Sequence, residues 1–390
     1  MTPEARISAA IDVLDRILSG TPGEQALTGW ARGNRFAGSS DRAAIRDHVF
    51  GAIRCRRSFA ALGGALTGRG LMLGALRDAG VDPTGVFTGI GHAPAPLTDA
   101  ESVHFNRDVQ LEPNVNIDCP DWLAPALKNS LGANFVPVMH ALRHRAPVFL
   151  RVNTRRTTRE AAMADLAREG IRTQPHPLAK TALEVTENAR KIQIGPSYLD
   201  GVVELQDVAS QALVEALPLA DGQRVLDFCA GGGGKTLAMS TGADLTLFTH
   251  DADPGRMRDL PARAKRAGIS VKALTTEQLS GAGQFDLVLA DVPCTGSGSW
   301  RRAPEAKWAL TEERLAELVT LQQEILASAS TLVRRGGVLA YATCSLLDAE
   351  NADQITAFRG AHPAWQLEAE RRFTPMDGGD GFFIAVLRRE

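Results

Sequence analysis

The sequence predicts an α/β protein: a doubly wound parallel sheet at the C-terminus, preceded by a small α/β module and an all-α N-terminal part. Three observations carry this. From Asp221 onward strand-like and helix-like segments alternate, which implies βαβ units and a parallel sheet. Ahead of it, helical segments mix with short β-rich pieces such as VFLRVN, ALEVT and GVVELQD. From Ile7 to about Leu62 the apolar residues recur at intervals of three and four. The expected divisions are residues 1–130, 131–218 and 219–390.

In the N-terminal part Ile7, Ile11, Leu14 and Leu18, then Ile45, Val49, Phe50 and Ile53, mark one face of successive helices. Asp41 is placed as the N-cap of the helix DRAAIRDHVFGAIRCRRSF, whose Arg42, Arg46, Arg54, Arg56 and Arg57 outnumber its acids. Prolines and glycines from Asp82 to Leu97, and again at NVNIDCP, mark connections. The middle part reads as a helix over Phe135–Arg143, the strand VFLRVN, a helix over Arg159–Glu169 and further strands. Between Ala141 and Arg159 stand Arg143, Arg145, Arg151, Arg155, Arg156 and Arg159 with no acidic residue, either a solvated face or a phosphate-contacting patch. The C-terminal part reads RVLDFCA, a helix after Gly234, LTLFTHD, a helix after Pro254, SVKALTT and FDLVLADVP. A long helix over Thr311–Val333, GGVLAYATC, a helix after Leu347 and GFFIAVLRR complete it. In such sheets ligands bind at the carboxyl ends of the strands.

With 44% apolar and 23% charged residues in a chain of 390, disordered and collagen-like readings are excluded. A net charge of −2 lacks the basic signature of a nucleic-acid binder. The arginines nevertheless gather between Arg32 and Arg57, from Arg143 to Arg159, and at Arg301 and Arg302. Five scattered cysteines with no C-x-x-C pair indicate neither a disulfide framework nor a zinc cluster, and fit a reducing compartment. Glu4, Asp12 and Asp15 interrupt the first twenty residues, unlike a signal peptide, and no uncharged apolar run approaches the ~20 residues of a membrane span. The expectation is a soluble cytoplasmic protein, by default a monomer, without membrane or metal partners.

Three motifs carry chemistry. DFCAGGGGKT, Asp227–Thr236, is a glycine-rich turn between a strand and a helix. A phosphate-binding loop needs glycine where Cys229 stands, and a dinucleotide fingerprint needs one where Thr236 or Leu237 stands. What remains is a nucleoside-type cofactor site, with Asp251 ending the next strand where a carboxylate can meet a ribose diol. FDLVLADVPCTGSG ends a buried strand in Asp291, Pro293 and Cys294; GGVLAYATCS ends another in Cys344. If both strands are central and parallel, both thiols emerge beside the glycine turn. A nucleophilic cysteine needs electropositive help, for which Lys235, Arg301 and Arg302 are candidates, whereas Cys55 and Cys119 read as inert core residues.

Together DFCAGGGGKT, HDADPGRM, DVPCTGSG with WRRAPEAKW, LQQEILASASTLVRRGGVLAYATCS and GFFIAVLRR resemble the Sun/Fmu family of S-adenosylmethionine-dependent RNA cytosine-C5 methyltransferases. LRVNTRR and YLDGVVELQDVASQALVEAL resemble that family's linker, and DRAAIRDHVFGAIRCRRSF its NusB-like RNA-binding helical domain. The resemblance implies a Rossmann-like catalytic sheet, S-adenosylmethionine as cofactor and RNA, 16S ribosomal RNA in particular, as partner. It implies Cys344 as the nucleophile on cytosine C6, Cys294 as the thiol that assists release, and Asp291 beside cofactor and base. Cys229, Ala230, Gly231, Gly232, Gly233, Gly234 and Lys235 would hold the cofactor's methionine end, with Asp251 at its ribose and Arg256 alongside. Lys235 would also orient the base.

Two departures stand out. Gly231 and Gly232 replace the family's Ala-Pro, and LTTEQ puts Thr275 where an acid contacts adenine, leaving Glu277 or a backbone amide to substitute. His250 reads as structural. The alternatives are a transfer-RNA methyltransferase and a non-catalytic RNA-binding ribosome assembly factor; a nicotinamide oxidoreductase lacks its fingerprint.

Overall fold

The computed structural model describes residues 1–390. The chain forms two compact units, Met1–Arg145 with Trp300–Ala309, and Ala146–Ser299 with Leu310–Glu390. The three consecutive parts expected from the sequence are thus grouped differently. Helix Phe135–Leu142 falls in the first unit, and the four-stranded module shares a unit with the large sheet. The reason is a common core: Phe149, Ala179 and Ala182 of the module bury in one cluster with Leu213, Val225 and Leu287.

The first unit is helical. Val13, Leu14, Ile45, Val49 and Leu71 are fully excluded from solvent, as their three-and-four spacing requires of a core-facing stripe. The third helix differs in detail from expectation. It runs Ser39–Arg54 with Gly38 at the cap, and a new helix, Arg56–Gly63, starts after Cys55. Asp41 stands in the first turn instead, accepting from the Gly38 amide at 3.2 Å and pairing with the N-terminal amine and Arg6. A carboxylate favours the helix N-terminus from any position in the first turn, so spacing alone does not locate the cap. The segment Trp300–Ala309 completes this unit. Lys307 Nζ donates to the Arg54 carbonyl at 3.1 Å, Trp308 Nε1 to that of Ile53 at 2.7 Å, and Glu305 accepts from the Gly23 amide at 2.9 Å. Arg54 Nε donates in turn to the Arg301 carbonyl at 2.8 Å. No single helix is long and apolar enough to cross a membrane.

The second unit holds two sheets. The smaller has the order β2-β3-β1-β4, from β1 (Val148–Val152), β2 (Arg172–Pro175), β3 (Ala182–Glu187) and β4 (Val203–Leu205), all antiparallel. The larger comprises β5 (Arg224–Asp227), β6 (Thr246–Thr249), β7 (Val271–Ala273), β8 (Phe285–Asp291), β9 (Val333–Thr343), β10 (Trp365–Phe373) and β11 (Phe382–Arg389), in the order β10-β11-β9-β8-β5-β6-β7. Strands β9, β8, β5, β6 and β7 are parallel, as expected. The sheet is not wholly parallel, however: β11 runs antiparallel to β9 and forms a hairpin with β10. Strand β10 escapes the sequence pattern because it is an edge strand whose interior, QLEAERR, is mostly exposed and charged. The central strands β8 and β9 are buried nearly throughout, which places their C-terminal ends beside that of β5.

Candidate active site

Three strand ends make the site. After β5 the chain turns through Cys229–Gly233 into the helix Gly234–Met239. Gly233 has φ +76°, and a Cβ there would stand 2.2 Å from Leu260 Cδ1, so only glycine closes this turn. The turn is tied to the end of β6: the Ala230 amide donates to the His250 carbonyl at 2.9 Å, and the Gly231 amide to Asp251 Oδ2 at 2.9 Å. Asp251 is buried, accepts also from the Asp253 amide at 3.0 Å, and has Arg256 Nη1 at 3.4 Å. His250 bridges the Phe228 carbonyl (2.8 Å) and Thr276 Oγ1 (3.1 Å), the structural role expected of it. The Thr275 amide is engaged by Gln278 Oε1 at 3.0 Å, while Glu277 is exposed.

Below the turn, Asp227 Oδ2 accepts from Thr236 Oγ1 at 2.6 Å, and its buried Oδ1 has no partner. Burial raises this carboxyl to about 7. Burial, with the nearby charges of Asp227, Asp291 and Asp251, also keeps the Cys229 thiol protonated, which fits a lining residue and not a nucleophile.

The thiols of Cys294 and Cys344 lie 3.3 Å apart, both half-buried. Lys235 Nζ sits 2.5 Å from Asp291 Oδ2 and 5.1 Å from the centre of the Phe382 ring. The two thiols are driven in opposite directions. Cys344 is lowered, first by the hydrogen bond from Cys294 and, against its burial, by the charge of Lys235. Cys294 is raised by the same hydrogen bond and by burial. Of the two, Cys344 is therefore the thiol whose ionisation the surroundings favour, while Cys294 holds its proton more firmly. Cys55 and Cys119 are buried in the helical unit and pushed up to about 11 and about 12, in keeping with inert core residues.

Of the three proposed cations, Lys235 is the one whose charge acts on Cys344; Arg301 and Arg302 belong to the segment grouped with the helical unit. The arginine run is divided between the two units: Arg145, Arg155 and Arg156 are exposed, Arg143 and Arg159 are half-buried, and Arg151 is buried. Arg143 pairs with Asp118 at 3.1 Å and Arg145 with Asp47 at 3.1 Å. Arg151 is buried and donates to the Gly234 carbonyl at 2.9 Å, bracing the glycine turn. Arg155 and Arg156 donate to the Ser240 and Arg266 carbonyls, at 3.2 and 2.9 Å, at helix C-termini where such acceptors are otherwise unmet. Arg151, Phe382 and Glu350, which the structure brings to the site, carry no motif of their own; only their proximity in the fold marks them.

Carboxylates at the ends of β5 and β6, one with a free acceptor, flank a turn that admits close backbone approach. That donor and acceptor set fits a ligand bearing amine and hydroxyl groups, as an amino-acid-linked nucleoside does.

Comparison with known proteins gives the class and then the family. A model of the 16S rRNA methyltransferase RsmB/F matches residues 214–388, and one of an RsmF/B-like ferredoxin-like domain matches residues 119–192. A methyltransferase homologue from Pyrococcus horikoshii superposes with a TM-score of 0.62 at 24% identity, over 72% of this chain and 100% of that one. The C-terminal sheet is a Rossmann-like methyltransferase fold. The ribosomal RNA small subunit methyltransferase B of Yersinia pestis bv. Antiqua (strain Angola) is 31% identical over 71% of this chain and 68% of its own length. That of Serratia proteamaculans (strain 568) is 33% identical over 69% of this chain and 66% of its own. The chain thus matches about two thirds of the length of these relatives, and it belongs to the RsmB/F methyltransferase family.

Proposed function

We propose that this protein is an RNA (cytosine-C5)-methyltransferase acting on 16S ribosomal RNA, with Cys344 as nucleophile and Cys294 as the releasing thiol. The observation that carries the reading is the thiol pair at 3.3 Å with opposite proton preferences, beside the Lys235–Asp291 ion pair. The names of the relatives support the ribosomal substrate, and the helical unit is the candidate for holding RNA.

Cytosine C5 is a poor nucleophile until a thiolate adds across the 5,6 double bond. The Cys344 sulfur forms a bond to C6, the π pair moves to C5, and charge spreads toward the ring nitrogen. As charge reaches N3, which carries no proton in neutral cytosine, a proton passes to it from the Lys235–Asp291 pair; Asp291 then accepts a hydrogen bond from N3–H and fixes the ring, and the proton returns when the 5,6 double bond re-forms. S-adenosylmethionine, when bound at Cys229–Lys235, Asp251 and Arg256, supplies an electrophilic methyl group. Once the Cys344 sulfur is bonded to C6 it no longer holds the Cys294 proton by hydrogen bonding, so Cys294 can give that proton to solvent. As the thiolate it takes the C5 proton after methylation, the 5,6 double bond re-forms and the Cys344 sulfur leaves as a thiolate. The base must leave its stack to be reached.

Purified protein, RNA and labelled S-adenosylmethionine test the reading. Cys344→Ala abolishes transfer, and transfer that survives this change refutes the assignment. Cys294→Ala leaves attack intact and accumulates a denaturant-stable RNA adduct; turnover without any adduct removes Cys294 from the release step. Bisulfite sequencing of ribosomal and transfer RNA from a deletion strain identifies the target.

A further inference from the structure

Glu350 is fully buried in the second unit, yet it is a carboxylate whose four hydrogen bonds all come from uncharged donors. Oε1 accepts from the Thr295 amide at 2.8 Å and from Gln322 Nε2 at 2.9 Å; Oε2 accepts from Thr295 Oγ1 at 2.6 Å and from the Ser345 hydroxyl. These use the acceptor capacity of a carboxylate in full. Thr295 directly follows Cys294, and Ser345 directly follows Cys344. Gln322 Nε2 also donates to the carbonyl of Pro293, the residue before Cys294, at 2.9 Å. Glu350 is itself anchored, since the Tyr341 hydroxyl donates to its carbonyl at 2.7 Å. Its neighbour Asn351 accepts from Thr343 Oγ1 at 2.6 Å and donates to the Ser345 carbonyl at 3.0 Å, pinning the turn around Cys344 on both sides.

One carboxylate therefore joins two loops, 295 and 345, that the chain brings together only through the fold. Burying a charge without a cation is costly unless every lone pair is met, and here each is. The charge works against thiolate formation at both cysteines, because its field raises both thiols. A group kept for activation would have the opposite sign; what remains is geometry.

We propose that Glu350 is a positioning residue that sets the relative placement of Cys294 and Cys344. The inference rests on the thiol chemistry proposed above. The test measures single-turnover methyl transfer in the full chain, with iodoacetamide alkylation of Cys344 against pH as a second readout. Glu350→Gln keeps the shape but presents an amide NH₂ to donors. It slows transfer by about a hundredfold, the scale of a small misplacement of reacting groups. Cofactor affinity stays within about twofold of wild type, because the cofactor residues are not among its partners. The alkylation profile stays in place or moves to lower pH, since a negative charge is lost. Thr295→Val slows transfer in the same sense, and Thr295→Ser, which keeps the hydroxyl, recovers most of that loss; this pair decides the matter should Glu350→Gln fail to fold. An unchanged rate in Glu350→Gln overturns the proposal. So does a Thr295→Ser variant as slow as Thr295→Val, or a loss of rate matched by an upward shift of the alkylation profile. Failure of the underlying reading looks different: wild-type protein would then show no Cys344-dependent transfer at all.

Discussion

A cysteine with an unperturbed pKa near ~8.5 is only a few per cent thiolate at neutral pH. Cys344 departs from this because the Cys294 hydrogen bond and the Lys235 charge outweigh its burial and the repulsion of Asp291 and Glu350. Lys235→Met removes one of these aids and leaves Asp291 unpaired, so both changes push the thiol up. We expect the midpoint of Cys344 alkylation to move up by about one pH unit and alkylation at neutral pH to slow about tenfold. An unmoved profile would exclude Lys235 from activating the thiol. Asp227 titrates in the other sense. Its pKa rises from 3.8 to about 7 on folding, so between these values the folded chain keeps a proton that the unfolded chain has lost. The stability linked to that proton is full below the unfolded pKa and is lost as pH rises through the folded one. Asp227→Asn should therefore flatten the decline of thermal stability from about pH 4 to about pH 7; a decline as steep in the variant as in wild type would contradict it. Cys344, Cys294, Asp291 and Lys235 were all visible in the sequence, since chemistry restricts such positions to particular residue types. Glu350 was not, because a buried glutamate reads in sequence like any exposed one.

Among the elements, the hairpin of β10 and β11 does more than close the sheet. The Gly381 amide, just ahead of β11, donates to the Gly298 carbonyl at 2.9 Å, and the Gly298 amide donates to the Cys344 carbonyl at 2.9 Å. The loop after Cys294, the turn after β9 and the approach to β11 thus meet at one residue. A Cβ on Gly298 would stand 2.0 Å from the Gly381 carbonyl oxygen, a contact with backbone that cannot swing aside. Gly298→Ala should destabilise the protein by about 1–3 kcal/mol and slow methyl transfer, as both thiol loops shift. Calorimetry and single-turnover assays read the two effects, and a variant with wild-type stability would show that the backbone yields there. The parallel strands were legible because burial on both faces leaves continuous apolar runs. Strand β10 was not, because it is held by pairing with β11 while the side chains between its buried ends, Trp365 and Phe373, are mostly polar and exposed.

At the scale of the whole molecule, the order along the chain is not the order of the units. Trp300–Ala309 lies between β8 and β9 in sequence but belongs to the helical unit, where Trp308 packs on the core and Lys307 is buried with its ammonium lowered to about 8. A fragment ending at Arg145 would lack these contacts and leave the Arg54 and Ile53 carbonyls without them. We expect Met1–Arg145 alone to melt less cooperatively and several degrees lower than the same fragment with Trp300–Ala309 appended by a flexible linker; equal melts would show the segment to be dispensable. The near-neutral total charge likewise says little about the molecule, since many arginines that look available in sequence are consumed by carbonyls and carboxylates of their own unit. Residue type and local period sufficed to read the helical N-terminal part, the alternating sheet, the glycine turn and the two thiols at strand ends, because hydrophobic periodicity and motif spacing are local properties. Which arginines are free, which thiol keeps the proton, how the chain is shared between units and which carboxylate holds the two thiol loops were decided only in three dimensions, because each depends on groups tens to hundreds of residues apart that burial and hydrogen bonding bring within a few ångströms.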